Sequence, residues 1–567
     1  MSGSARLPVV LLWHMHQPQY RDALSGQYVL PWTYLHAIKD YVDMAAHLEA
    51  APSARAVVNF TPVLIEQLEE IAERIALHLE SVAALPDPVL ALLGPGEVPQ
   101  TPVERLDLLH ACLRAQRKNM IERFAPYLEL ATLAESFASE ALIGYASDQF
   151  MHDLAVWYHL AWLGETVRRT EPLVAALTAQ GHSFTLANRR ELLALVGRLV
   201  ASVIPRFRAL SEAGRCELSL TPYAHPLMPL LIDFTAARQA QPAAPLPRQG
   251  SYPGGAERAA WHMREGMRVF TNAFGKRPVG CWPSEGAISK ETLELIEKFE
   301  FDWTASSSNV LRTSLLAGEP ARILDDRDFN RPYRLDNARL NCFFRDDALS
   351  DLIGFTYATW RGDDAAANLA SELAALAKRM NGAPGHAVLI ALDGENAWEH
   401  YPFNGYFFLS ALYAALAEHP ALELTTLSQC TARGLAPATL AQVVAGSWVH
   451  GTLATWVGDA AKNAAWDLLC EAKRAFDHAV FEGEAGRAQR GAAERQLALC
   501  ESSDWFWWFG DYNPEDAVTQ FDRLYRRQLV NLYRVLKIAP PENLSHPLST
   551  GRGAPEHGGA MRRANAG

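Results

Sequence analysis

VLIALDGENAWE, residues 388–399, is a run of apolar strand formers that stops abruptly at Asp393-Gly394-Glu395-Asn396. A short apolar run of this kind reads as a strand buried on both faces, and one that ends in carboxylates delivers them to a site rather than to a solvating turn. Six further segments repeat the pattern. PVVLLWHMHQP (8–18) ends in His14 and His16, AVVNFTP (56–62) carries Asn59, and CELSLTPYAHP (216–226) carries Glu217 with His225 just past its end. PVGCWPSEG (278–286) ends in Glu285, FDWTASSS (301–308) carries Asp302 and a serine run, and CFFRDDALSD (342–351) carries Arg345, Asp346 and Asp347. Helix-like sequence separates most of these runs. Strands buried on both faces and alternating with helices indicate a parallel sheet. Polar residues gathered at the C-terminal ends of parallel strands mark the expected site of an α/β barrel or a doubly wound sheet. Their even spread favours closure into a barrel, because an open sheet concentrates its site at one switch point.

The chain of 567 residues is longer than one ordinary barrel, so a further domain is expected. Between 62 and 213 there is too much helical periodicity for a single crossover, and this reads as a helical insertion framing the cleft of a catalytic barrel domain spanning 1–430. A Pro, Gly and Ala-rich stretch at 236–255 reads as a cleft flap or a plain surface loop. Amphipathic helix patterns predict a C-terminal helical bundle over 431–540, and the composition of 541–567 predicts a disordered tail. Nearly half the residues are hydrophobic and the formal net charge is −12, which argues for a large core and against binding a phosphate backbone. Nucleic acid is therefore not an expected partner. Seven scattered cysteines without a CxxC pair fit reduced thiols. The first strand leads straight into polar site candidates rather than a cleavage motif, and no stretch approaches a membrane span, so a cytoplasmic location is expected.

Glu285 follows Trp282-Pro283-Ser284, and Asp393 precedes Gly394 with Glu395, Asn396 and Trp398 behind it. Two carboxylates on separate strands flanked by tryptophan suit a retaining glycosidase, in which one attacks the anomeric carbon and the other protonates the leaving oxygen across about 5 to 5.5 Å. Sugar rings present apolar C–H faces, which rigid aromatic side chains cover at low entropic cost. His14 and His16 sit at period-two spacing on one strand face. With His225, Glu217 and Asp393 at hand, that pair also fits a zinc-dependent hydrolase that chelation would silence. Pro18 turns the chain so that His16 and Gln17 aim into the cleft as hydrogen-bonding groups for sugar hydroxyls. His225, Arg345, Asp346 and Glu395, all near strand ends, complete the substrate-contacting candidates.

WHMHQP resembles the opening His-Gln-Pro signature of glycoside hydrolase family 57, and four later segments resemble further motifs of that family in the right order. They are GRCELSLTPYAHPLMPLL (214–231), CWPSEGAIS (281–289), LDGENAWEHYPFNG (392–405) and SSDWFWWFGDYN (502–513). The resemblance runs from about residue 7 to about residue 536. It implies a (β/α)7 barrel with a helical domain and retaining action on α-glucans, with Glu285 as nucleophile and Asp393 as general acid/base. It also implies that His16 and Glu217 contact substrate or organise the site, and that Trp282, Trp398, Trp505, Trp507 and Trp508 are sugar-stacking candidates. No cofactor or metal is called for. On this reading Asp393 is raised by burial and by the charge of Glu285, while Glu285 is ionised. The Asp-Gly-Glu-Asn and Trp-Pro-Ser-Glu-Gly forms resemble the α-amylase and amylopullulanase branch. Hydrolysis of α-1,4-glucan, with α-1,6 cleavage as an extension, is thus expected ahead of 4-α-glucanotransferase or branching activity.

Overall fold

Alternation along the first strand sets the architecture: Val9, Leu11 and Trp13 pack outward on helices, whereas Val10 and Leu12 join a separate inner cluster with Val57, Trp303, Phe343, Leu389 and Ala391. In the computed structural model, residues 6–553 are described apart from 82, 138, 381, 384 and 482–485, together with 561 and 562. The strands are β1 (Leu7–Met15), β2 (Ala56–Phe60), β3 (Cys216–Leu220), β4 (Gly280–Cys281), β5 (Trp303–Ser307), β6 (Tyr333–Leu335), β7 (Asn341–Arg345), β8 (Val388–Asp393), β9 (Leu422–Leu424) and β10 (Ala438–Leu440). Seven of them pair in parallel in the order β8-β1-β2-β3-β4-β5-β7, and a contact between β7 and β8 closes the ring. This is the expected seven-stranded barrel, with every anticipated strand in place. The three-residue strands β6, β9 and β10 extend the sheet outside the ring and were not anticipated.

Register stacks the inward side chains in layers. Val57 lies opposite Glu217 and Asn59 opposite Ser219, while His14 pairs in register with both Asn59 and Asp393. Glu217 is thus an inward residue one layer below that of His14 and Asp393. The loops after the strands carry the polar residues, as buried parallel strands require.

Helices supply the rest of the molecule. Two long helices of the insertion, Pro62–Ser81 and Leu186–Glu212, pack against each other, and shorter ones including Asp148–Ala161 build a lobe beside the barrel mouth. Helices Ala460–Phe481, Arg487–Cys500 and Glu515–Val535 form the C-terminal bundle, with the short helix Ser503–Trp508 lying on the barrel mouth. A buried ion cluster ties bundle to barrel: Glu501 accepts from Tyr252 Oη (2.6 Å), Arg258 Nε (2.8 Å) and His262 Nε2 (2.8 Å). Burial alone would raise this carboxyl, but the Arg258 charge and these donors hold it down to about 2.

The 236–255 stretch is no flap over the cleft. Its Gln249 amide donates to Asp467 of the bundle and its Tyr252 is buried against Glu501, so it serves as packing between barrel and bundle. Residues 541–553, expected to be disordered, carry a turn of helix at Glu542–Ser545 and a buried Leu544, and Gly553 bridges to Pro514. The rest of that tail lies outside the described residues, apart from Met561 and Arg562. Among the described residues no helix is long and apolar enough to cross a membrane.

Candidate active site

A cleft of about 390 Å³ opens over the barrel mouth, lined by His14, His16 and Gln17 from the end of β1, His225 after β3, Glu285 after β4, and Asp393 and Glu395 from the end of β8. The barrel alone does not complete it. Asp504, Trp507 and Trp508 come from the short bundle helix, and Trp32 and Trp162 come from the insertion side. Of the residues singled out from sequence, those at the ends of β1, β3, β4 and β8 are therefore brought together, and the missing wall is supplied from outside the barrel.

Glu285 sits where the chain turns sharply after the two-residue strand β4. Its φ of 61° is in the left-handed region, which bulky residues rarely occupy, and Gly286 follows at +56° because a Cβ there would press on the Trp282 ring at 3.2 Å. Residue 448 clamps this turn twice. The Trp448 backbone N–H donates to the Glu285 carbonyl (3.0 Å) and its indole Nε1 donates to Glu285 Oε2 (2.9 Å). Trp448 itself rides on a tight loop, where Gly446 backs onto the Gly451 carbonyl and the Ser447 hydroxyl bridges to Val449 and Thr452. On the other side, Ser503 Oγ donates to Glu285 Oε1 (3.2 Å).

The electrostatics differ from expectation. Burial pushes Glu285 up to about 8, with the charge of Asp504 and then that of Asp393 adding to it, against the hydrogen bonds from Trp448 and Ser503. Burial also pushes Asp393 up, to about 6, opposed by the hydrogen bond from Asn396 (2.8 Å) and by the charges of His16 and Arg345. The higher value thus falls on Glu285, because Asp504 acts on both carboxyls whereas the charges of His16 and Arg345 oppose the rise at Asp393. Glu395 is raised well above the usual range by burial and then by Asp393, with Gln17 Nε2 donating to it at 3.3 Å.

The histidines form a stack. His16 and His225 lie with ring centroids 3.8 Å apart and 16° between planes, and His14 meets His225 edge to edge, with centroids 5.2 Å and Nε2 atoms 3.2 Å apart. His16 Nε2 meets both oxygens of Asp504, at 2.9 and 3.0 Å. Burial holds His14 down to about 3 and His225 well below its ordinary range, with neighbouring histidines acting the same way, so both are neutral. His16, His225 and Asp504 bring three potential metal-ligand atoms within 4.8 Å. In-plane lone pairs of two stacked rings run side by side and do not converge on one ion at the roughly 2.0–2.1 Å that zinc needs. The His14, His16 and His225 zinc arrangement is accordingly not the geometry formed.

Several sequence candidates lie elsewhere. Glu217 is below the site, accepting from Trp303 Nε1 (2.6 Å) and from the Ser428 backbone N–H (3.0 Å) and hydroxyl (2.7 Å). Trp282 is fully buried inside the barrel, and Trp398 and Trp505 are core residues whose indoles donate to the Gly394 and Leu499 carbonyls. None of these three offers a face to a sugar. Trp507 and Trp508 do line the cleft. Asp346 caps the helix Asp347–Asp351. Arg345 is just behind the cleft, paired with Asp347 (2.7 Å) and stacked on Trp448 at 5.1 Å. Sequence reasoning missed Trp448, and also Asp504, although the latter stands in the familial segment 502–513. An acidic residue and an indole among so many aromatics carry no local mark of their partner.

The model of glycosyl hydrolase family 57 matches residues 10–440. No curated protein matches the chain. Among solved structures, similarity extends to a family 57 branching enzyme from Thermococcus kodakaraensis (15% identity, 93% of this chain and 90% of that chain, TM-score 0.59). It also extends to a branching enzyme of the same type from Pyrococcus horikoshii (16%, 95% and 96%, TM-score 0.57) and to the α-amylase AmyC from Thermotoga maritima (15%, 95% and 95%, TM-score 0.55).

Proposed function

The chain belongs to glycosyl hydrolase family 57, an enzyme family, and from that premise we propose that it is a retaining α-glucan hydrolase in which Glu285 is the nucleophile and Asp393 the general acid/base. The observation that carries this reading is that these two carboxyls, delivered by different strands, line one cleft together with cleft-facing tryptophans. In the first half-reaction Glu285 attacks the anomeric carbon as the glycosidic C–O bond breaks, and the leaving oxygen takes the proton of Asp393. In the second, water attacks the same carbon, Asp393 takes its proton, and the ester to Glu285 breaks. Between about pH 6 and 8 the pair holds one proton, and the reactive form is the one with that proton on Asp393. Donors on Glu285 favour this form. Trp507 and Trp508 supply apolar faces for the glucan, and His16 with Asp504 presents hydrogen-bonding groups to its hydroxyls.

If a sugar hydroxyl replaces water in the second step the same site transfers, as the branching enzymes among the similar structures do by name. The test is to incubate the purified protein with soluble starch, pullulan and maltooligosaccharides, with and without EDTA, and to size the products. Shorter products with new reducing ends, unaffected by EDTA, are expected. Disproportionation without reducing-end gain would replace hydrolysis by transfer, and inactivity on every α-glucan would end the reading.

A further inference from the structure

A row of buried side chains leads from the barrel interior to Glu285. Asn59 Oδ1 lies 2.6 Å from His14 Nδ1, His14 Nε2 lies 3.2 Å from His225 Nε2, His225 Nδ1 lies 2.8 Å from Ser503 Oγ, and Ser503 Oγ lies 3.2 Å from Glu285 Oε1. Asn59 and Ser503 are wholly inaccessible, His14 and His225 nearly so. A neutral imidazole has one N–H and one acceptor nitrogen, and a hydroxyl has one proton, so such a row can only run in one direction at a time.

The far end fixes which. Thr221 Oγ1 is 2.8 Å from the Trp282 carbonyl and 2.7 Å from Asn59 Oδ1, the atom that also faces His14 Nδ1, so two acceptors share one hydroxyl proton. Given to the Trp282 carbonyl, that proton leaves lone pairs of Thr221 against the amide oxygen, a contact that exchanging the O and N of the amide relieves. The amide atom between Thr221 and His14 is then best an NH2, which has one N–H for each. Turning the amide over brings its oxygen to Ser219 Oγ, 3.0 Å from the atom placed as Nδ2, where it accepts the Ser219 proton, which has no other acceptor among the hydrogen bonds of that hydroxyl. The unturned amide, whose oxygen can accept from His14 Nδ1, keeps three oxygens around the Thr221 proton and leaves the Ser219 proton without an acceptor, a cost of roughly 1–3 kcal/mol. His225, held at a strained φ of 58°, sits at the one joint where the row passes from barrel to bundle helix.

We propose that Asn59, His14, His225 and Ser503 form a one-way hydrogen-bond relay that ends by donating to Glu285, which makes them positioning residues that orient the nucleophile and favour its carboxylate form. In the relay Asn59 donates to His14 Nδ1, His14 Nε2–H to His225 Nε2, His225 Nδ1–H to Ser503, and the Ser503 hydroxyl to Glu285. Every donor points toward the carboxylate, and each bond polarises the next. The relay counters Asp504 and Asp393, the acidic groups facing Glu285, while His225 and the Trp448 indole are its neutral neighbours and Arg345 lies beyond that indole. The catalytic consequence rests on Glu285 being the nucleophile; the direction of the relay does not.

The direction is read by ¹⁵N NMR of the full-length protein labelled at histidine, with His14 and His225 identified by loss of their signals in His14→Gln and His225→Gln. His14 is expected to carry its proton on Nε2 and His225 on Nδ1. The reverse pair of tautomers would overturn the proposal. Thr221→Val removes the hydroxyl that sets the direction, and is expected to mix the tautomers and lower kcat roughly tenfold with KM nearly unchanged. A single tautomer pattern retained at wild-type kcat would equally overturn it. Full activity in Glu285→Gln would strike down the nucleophile assignment instead, with the tautomers still to be read on their own.

Discussion

Glu217 and Glu285 are both glutamates on neighbouring strands of one barrel, and their surroundings are opposite. Glu217, near the start of β3, accepts from an indole N–H, a backbone N–H and a hydroxyl. Glu285, past the end of β4, has two neutral donors and faces Asp504 and Asp393. The first has its oxygens occupied by donors and the second is a carboxyl crowded by others. In a parallel barrel the position along the strand, more than the residue type, decides which of the two an inward glutamate becomes.

Exchanging the charge at each site tests this contrast most severely. Glu285→Gln is expected to lower kcat by about 10⁴ or more, and Asp393→Asn similarly for substrates with poor leaving groups, whereas Glu217→Gln should keep kcat within about threefold and lose stability in urea instead. Equal losses of rate in the two glutamate variants would erase the distinction. Next comes pH. Below about 6 both carboxyls of the pair are protonated and the nucleophile is lost, while above about 8 both are ionised and the acid is lost. The kcat/KM profile should therefore be a bell that peaks between those limbs, and a rate still rising beyond pH 8 would contradict it. The smallest effect concerns a single donor. Trp448→Phe removes the indole N–H from Glu285 and should cost roughly tenfold in kcat, with the limb near pH 8 moving upward. A change in KM alone would make Trp448 a substrate contact rather than a support for Glu285.

Much of the barrel was legible because a strand buried on both faces must be a short apolar run, and because a polar residue ending such a run has only the barrel mouth to face. Asp393, Glu285, His14, His16 and His225 were found by that logic. The same logic misplaced Glu217, since inward alternation holds for a whole strand and does not say how far below the mouth a residue lies. Tryptophan misled in another way. Its indole is as much a core filler as a sugar platform, and Trp282, Trp398 and Trp505 proved to be core while Trp507 and Trp508 reached the cleft.

The sequence by itself determined the strands, their polar ends and the two carboxyls, because periodicity and strand termination are local properties of the chain. Only the tertiary structure decided which groups surround Glu285. Asp504 and Ser503 lie more than two hundred residues away and Trp448 more than one hundred and sixty, so their approach depends on how the bundle helix and a glycine-pinned loop dock on the barrel mouth. A pKa and a hydrogen-bond direction are set by these through-space neighbours, and no local pattern in the chain encodes them.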